Sequence, residues 1–343
     1  MAKKARKSGK KPSRAQLPST RRRRKPVVAV IGAGRLGTAL GQALNTAGYR
    51  VEVVVARRQT SARRAARLIG KDTAGLTVRQ LGGLLPSQYD RLRRCALILI
   101  STPDDTIASV AEQLAALFNL LNSREAEPRR RASARRVALH TSGALSADVL
   151  SPLRHAGFAT GSLHPLISIS DARIQSDAFR HAFFAIEGDR LAVHVAGSVV
   201  RNLGGQSFSI SPDAKALYHA AAVTASGHVV ALFDIALEML ARCGLSPGRA
   251  RRVLLPLLES TIRNLSTRDP ARALTGTFAR GDVSTARRHL ASIKSRKLRD
   301  ALAAYILLGQ RSLMLAKGRS RNRAGLAEIA EILSATVTSS SRR

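Results

Sequence analysis

Three short polar segments carry residue types suited to moving protons and holding a small anion. His140-Thr141-Ser142-Gly143 puts hydroxyls where an apolar run ends, a setting that can grip a carboxylate or carbonyl through side-chain and backbone donors. Ser162-Leu163-His164-Pro165 ends a strand-like piece in a histidine fixed by the proline that follows. Lys215 and His219 lie one helical turn apart near the start of a long helical pattern, so both project from one face. Around Lys215 stand Ala214, Ala216, Leu217, Ala220, Ala221 and Ala222, none of which gives a cation a reason to be there. Acid/base chemistry on a small substrate follows: Lys215 as general acid or base, His219 and His164 orienting the substrate or relaying the proton, Ser142 anchoring its polar end. Each has a plain alternative, since His164 can cap a strand and Ser142 can be an N-cap. His155, His181, His194, His228 and His289 have no comparable setting and read as structural.

A second constellation lies upstream. Val27 to Ile31 is a continuous β-branched apolar run, the pattern of a strand buried on both faces. Gly32-Ala33-Gly34-Arg35-Leu36-Gly37 follows, then a helix with Leu36, Ala39, Leu40, Ala43 and Leu44 on one face, and a second strand at Val51 to Val55. In that context G-x-G-x-x-G is a dinucleotide fingerprint: one glycine for the turn, one for the approach of a pyrophosphate, one for helix against strand. After the second strand the chain reads Arg57-Arg58-Gln59-Thr60, with no acid to accept from a ribose 2′-hydroxyl. Two guanidiniums beside a hydroxyl match a 2′-phosphate instead, so the expected cofactor is NADP(H). Gly32, Gly34, Arg35, Leu36, Gly37, Arg57 and Arg58 are its expected contacts, with Thr102 and Pro103 of the Ser101 to Asp105 turn on the nicotinamide side. The alternatives are a glycine turn with nothing bound and a solvated arginine pair.

The elements needed to position these groups alternate through the first half: a helix near Ser61 to Leu68, strands at Cys95 to Ile100 and Val137 to His140, and a helix near Ile107 to Leu121 between them. Pieces around Thr160 to Leu163, Phe183 to Ile186 and Phe208 to Ile210 extend the same sheet and bracket a helix near Leu191 to Leu203. Beyond Pro212, strand patterns give way to helical ones, at Asp213 to Arg242, Arg249 to Leu265, Ser284 to Ile293, Arg299 to Leu315 and Ala324 to Leu333. The expected fold is α/β, an N-terminal doubly wound Rossmann domain followed by an all-helical domain. Its divisions are a disordered basic tail at 1–25, an NADP-binding domain at 26–210, and a helical substrate or dimerisation domain at 211–335. Thr275, Gly276, Arg280 and Asp282 form a polar turn that could close the site or a subunit contact.

Composition narrows the classes. The formal net charge is +35, with Lys3, Lys4, Arg6, Lys7, Lys10, Lys11, Arg14 and Arg21 to Lys25 in one acid-free stretch that cannot bury enough apolar surface to order itself. That tail is the one route by which nucleic acid is expected as a partner. No aromatic residues interleave it, however, so a solvated tail is the simpler reading. No uninterrupted apolar run reaches eighteen residues, and the basic N-terminus lacks the apolar stretch of an export signal, so neither a membrane span nor secretion is expected. Cys95 and Cys243 sit among apolar neighbours, which suits buried thiols in a reducing cytoplasm without a disulfide or metal framework. Asn122 to Arg136, arginine-rich and broken by a proline, reads as a surface loop or helix extension.

Several segments resemble a known family. Gly32 to Leu40, His140 to Leu145, Ser162 to Leu166, Phe184 to Asp189, Lys215 to Ala222, and Leu274-Thr275-Gly276 with Arg280-Gly281-Asp282 look like the Rossmann-like proteins that carry the domain of unknown function numbered 2520, over roughly residues 26 to 315. The layout is also similar to that of pyrroline-5-carboxylate reductases, 3-hydroxyacid and 6-phosphogluconate dehydrogenases, and prephenate dehydrogenases. In hydroxyacid dehydrogenases a Lys-x-x-x-Asn pair does acid/base and orienting work; Lys215 matches the lysine, and His219 replaces the asparagine. In prephenate dehydrogenases a serine and a His-Pro contact substrate, and Ser142 and His164 match those places. The resemblance implies an NADP-dependent oxidoreductase moving hydride between nicotinamide and a small, anionic carbonyl, alcohol or imine substrate, with a homodimer expected. The alternatives are a non-catalytic NADP(H)-binding sensor or scaffold, and a nucleic-acid-associated module led by the basic tail.

Overall fold

A computed structural model describes residues 25–81, 86–123, 136–171 and 177–340. The basic tail, apart from Lys25, and most of the arginine-rich stretch before Val137 lie outside the described residues. Eight strands form one sheet: β1 (Val28–Ile31), β2 (Val51–Ala56), β3 (Ala74–Thr77), β4 (Leu97–Ile100), β5 (Val137–His140), β6 (Ala159–Pro165), β7 (Phe183–Gly188) and β8 (Gln206–Ser209). Their order is β3-β2-β1-β4-β5-β6-β7-β8, parallel throughout except where β7 runs antiparallel to β6. The first six strands form the doubly wound arrangement, with its reversal of direction between β1 and β4. β3 is a strand that the periodicity misses, because Ala74-Gly75-Leu76-Thr77 is short and carries one bulky apolar residue.

Alternation along β1 explains the layers. Val28 and Val30 join the core beneath α1 (Arg35–Thr46), α2 (Gln59–Ile69) and a helix at Arg190–Asn202, whereas Ala29 and Ile31 join the core on the opposite face. That second core is covered by Leu92 from α4 (Pro86–Arg93), which follows the one-turn α3 (Val78–Leu81), by α5 (Asp104–Ser123), and by Leu153 of α6 (Ser151–His155). The Arg190–Asn202 helix is α7. Burial on both faces is what an unbroken β-branched run requires, and each fully buried Val, Leu or Ile contributes roughly 1.5–3 kcal/mol.

The chain divides into two compact units after Ala220. The sheet unit therefore runs ten residues past the expected boundary at 210, because the first turns of α8 (Lys215–Ala225) are tied to the sheet through Lys215, Tyr218 and His219. The second unit is helical: α9 (Gly227–Ala241), α10 (Pro247–Thr267), the short α11 (Pro270–Ala273) and α12 (Thr277–Arg280), α13 (Val283–Ser295), α14 (Arg299–Ala316) and α15 (Arg323–Ser340). Its core comes mainly from α13, α14 and α15, with Ala286, Leu290, Ile306, Leu313, Ile329 and Leu333 at its centre. The single helix expected over Asp213 to Arg242 is broken at Ser226, whose φ of −125° and ψ of −68° depart from helical geometry. In the polar turn, Asp282 caps α13 by accepting from Thr285 N–H, and Gly276 takes a φ of +86° just before α12.

Two expectations about surface are corrected here. Cys243 is exposed rather than buried, since it falls in the turn after α9, beyond the reach of a packed helix face; Cys95 is buried, and both thiols are free. The Pro212–Ala241 stretch is long and apolar enough to cross a membrane by length and composition, which the absence of an unbroken apolar run did not suggest, and none of its apolar window is buried.

Candidate functional site

Both constellations meet the carboxyl edge of the parallel strands. The glycine turn leaves β1 beside the loop that leaves β4, with Ser101 N–H donating to Ile31 C=O at 2.7 Å. Gly32 has a φ of +113°, and a Cβ there would strike the Ser101 carbonyl; a Cβ on Gly37 would strike the Gly32 carbonyl. These two glycines let β4 and α1 close on the turn. Gly34 differs: it caps α1 at a φ of −73° with open space where a Cβ would stand. The first turn of α1 carries no acid, and a cavity of about 300 Å³ opens above it, lined by Ala33, Gly34, Arg35 and Thr38 together with Ser61 and Arg64 of α2. Free backbone N–H groups and the positive helix end there suit phosphate.

Of the other expected contacts, Arg57 and Arg58 directly follow β2, where Arg58 is the N-cap of α2, and both are exposed. Among the described residues neither guanidinium is held in a hydrogen bond or ion pair. Leu36 turns inward and packs on the core, so its side chain serves the fold. Thr102 Oγ1 is buried without a hydrogen-bond partner among the described residues, the condition of a hydroxyl awaiting a ligand, and Pro103 is exposed beside it. These residues fit a dinucleotide; Ser61, Arg64 and Thr38 are additions that no motif marks.

Pairing register builds the other half. His140 of β5, Ser162 of β6 and Glu187 of β7 stand opposite one another across three strands. Lys215 reaches this row from α8: its ammonium donates to Ser162 Oγ at 2.6 Å and Ser142 C=O at 3.2 Å, and lies 3.7 Å from Glu187 Oε1. Glu187 also accepts from Ala147 N–H at 2.7 Å. Lys215 is 0% exposed. Burial lowers its pKa from the ordinary lysine value, against the opposing attraction of Glu187. Its three donors thus have three acceptors, which leaves none to offer a substrate in this conformation.

Ser142 is also engaged, though not as the N-cap of a helix. Its hydroxyl donates to Asp104 Oδ2 at 2.7 Å and accepts from the N–H groups of Ala144 and Leu145, each at 3.1 Å; the following 3-10 turn, Ala147–Leu150, is capped by Ser146. His140 is locked between Ser142 N–H and Ser146 C=O, and burial lowers it to about 3.

His164 and His219 are the imidazoles left available. His164 Nδ1 bonds to Tyr218 Oη at 2.7 Å, and burial, then His219 and Lys215, lower its pKa to about 4. The rings of His164 and His219 meet edge to face at 5.4 Å, and His219 Nδ1 is buried without a partner among the described residues. Burial pushes Tyr218 up to about 12, so its hydroxyl stays protonated. Lys215, His219, His164 and Ser142 are therefore brought together as neighbours. Glu187, Ser162, Tyr218 and Asp104 complete the cluster. A carboxylate ending an apolar strand, as in Phe184-Ala185-Ile186-Glu187, was the signal that a buried cation had to meet it.

Comparison with known proteins places this architecture. Residues 13–165 match the model of a Rossmann-like domain and residues 182–312 match that of a domain of unknown function, DUF2520. The chain thus joins a Rossmann-like domain to DUF2520, and the polar cluster straddles them: Ser142, Ser162 and His164 come from the first, Glu187, Lys215, Tyr218 and His219 from the second. No curated protein matches the chain in sequence. Among solved structures, a candidate NADP oxidoreductase from Bacteroides fragilis is similar, with a TM-score of 0.64 and 22% identity over 84% of this chain and 98% of that one. A Thermotoga maritima protein gives a TM-score of 0.59 and 20% identity over 85% and 99%. A reductive aminase from Aspergillus terreus, in complex with NADPH and ethyl-5-oxohexanoate, gives 0.50 and 14% over 92% and 95%. At these identities the likeness is one of fold.

Proposed function

We propose that the protein is an NADP(H)-dependent oxidoreductase acting on a small, anionic substrate whose reacting carbon belongs to a carbonyl, alcohol or imine. One observation carries this reading: an open glycine turn with an unpartnered Thr102 hydroxyl lies on the same sheet edge as a buried cluster of lysine, carboxylate and two available imidazoles. Gly32, Gly34 and Gly37 admit the pyrophosphate to the start of α1, and Arg57 and Arg58, at the start of α2, meet the 2′-phosphate. When bound, the nicotinamide supplies or accepts the hydride. Lys215 holds Ser142, Ser162 and Glu187 in place, and His164 and His219 face the substrate.

Binding of NADPH and NADH to the purified chain tests this directly. Tighter binding of NADPH, lost in Arg57→Ala/Arg58→Ala while NADH binding changes little, is expected; tighter NADH binding overturns the phosphate assignment, and binding of neither overturns the whole reading. The full engagement of Lys215 also suits a non-catalytic NADP(H) sensor, and NADPH binding without turnover on any carbonyl or imine would favour that reading.

The unburied apolar surface of the helical unit supports a homodimer. Val230, Leu257, Leu307 and Met314 are 63% to 70% exposed, more than a lone soluble chain usually leaves clustered. A second copy is the better occupant than a bilayer for the Pro212–Ala241 stretch, because its first turns are anchored in the sheet unit by buried Lys215 and its path is broken at Ser226.

A further inference from the structure

Resting on the NADP(H) reading, we infer that the substrate presents a carbonyl or alcohol oxygen, received between His164 Nε2 and His219 Nδ1 above the bare backbone of Gly143, and that Lys215 is a positioning residue. Gly143 does not take a positive φ, so its backbone places no demand for glycine. Space does: a Cβ there would stand 2.8 Å from both Cε1 and Nε2 of His164 and would collide with His219 Nδ1. Two ring nitrogens thus converge on one point that only a glycine leaves empty. His164 has its other nitrogen committed to Tyr218, which leaves Nε2 for this point, and His219 Nδ1 has no partner. A buried unmade hydrogen bond costs about 1–3 kcal/mol, which a ligand oxygen would relieve.

Charge selects among the substrates the broader reading allows. The groups facing the pair are Tyr218 and Lys215 from α8, Glu187 from β7, His140 and Ser142 from the end of β5, and Asp104 from α5. Glu187 is spent on Lys215 and Ala147, and Asp104 accepts from Ser142. An iminium ion would meet a buried ammonium with no uncommitted buried carboxylate. An oxygen gaining negative charge meets the same ammonium favourably. In the reductive direction the carbonyl carbon gains the hydride from NADPH, the C=O π pair becomes a lone pair on oxygen, and that oxygen takes a ring N–H proton that solvent replaces. In the oxidative direction a neutral ring nitrogen takes the hydroxyl proton as the hydride leaves for NADP⁺.

Two measurements on the full chain test the inference. Imidazole ¹⁵N NMR on the nucleotide-free protein should show His164 titrating near pH 4, and Lys215→Met/Glu187→Gln should move that midpoint upward, since Lys215 is one of the charges holding it down. An unmoved midpoint removes Lys215 from its positioning role. NADPH oxidation is then followed with two- to six-carbon 2-oxo acids and aldehydes, and with 1-pyrroline as the imine. Turnover of at least one carbonyl compound is expected, with kcat reduced by about 100-fold or more in His164→Asn and in His219→Asn, and with KM raised in Gly143→Ala. Turnover of 1-pyrroline alone, no turnover of any carbonyl compound, or full activity in both histidine variants overturns the inference. Loss of NADPH binding in the wild-type chain would instead overturn the cofactor reading beneath it.

Discussion

Replacing Lys215 by methionine should destabilise the sheet unit far more than replacing Lys215 and Glu187 together. The ammonium is fully buried, and its partner Glu187 has a side chain only 4% exposed, so neither charge can turn to water when the other is lost. In Lys215→Met the carboxylate keeps one donor, Ala147 N–H at 2.7 Å. Breaking a buried pair in this way costs about 3–5 kcal/mol, whereas removing both charges with volume preserved is often close to neutral. Lys215→Met/Glu187→Gln removes both charges and leaves an amide oxygen to accept from Ala147. The pair should therefore show a coupling of about 2–4 kcal/mol in a double-mutant cycle. For a domain of this size, 1 kcal/mol moves the midpoint by about 2–4 °C, so the single variant should melt about 6–20 °C lower and the double variant near wild type. Scanning calorimetry suits the measurement because it can resolve the sheet unit from the helical one. A single-variant cost under about 1 kcal/mol, with the two changes additive to within about 0.5 kcal/mol, would refute the claim that this ion pair ties α8 to the sheet.

Three further outcomes are expected. Gly34→Ala meets open space at a φ of −73° and should leave thermal stability within about 1 kcal/mol of wild type while weakening NADPH binding; Gly37→Ala, whose Cβ strikes the Gly32 carbonyl, should lower both. His140 and His164 are lowered from 6.5 to about 3 and about 4, so as pH falls below 6.5 the unfolded chain takes up protons that the native chain refuses. Stability is full above that pH and should fall by about 1.4 kcal/mol per pH unit for each histidine on the way to pH 4, with His164→Asn roughly halving the slope in urea titrations. Light scattering at tens of micromolar protein without detergent should give the mass of a dimer; a monomer, or sedimentation with lipid vesicles, would displace the second copy from the apolar helices.

Much of the sheet unit was legible because its constraints are local. An unbroken run such as Val27 to Ile31 has one comfortable home, a strand covered on both faces, and the glycines after it report a turn that no side chain could share. β3 escaped notice because a short strand at a sheet edge needs little apolar surface, and the break at Ser226 because the helical period continues through it. At the site, residue types were legible and allegiances were not. Lys215 stood out as a cation among alanines, yet the carboxylate and hydroxyl that fix it come from strands 28 and 53 residues away, brought opposite one another by register alone. That difference decides the chemistry assigned. Read from its neighbours in sequence, Lys215 is a free acid or base. Read from its neighbours in space, it is a fully engaged clamp, and the proton-handling role passes to the imidazole pair that the clamp holds over Gly143.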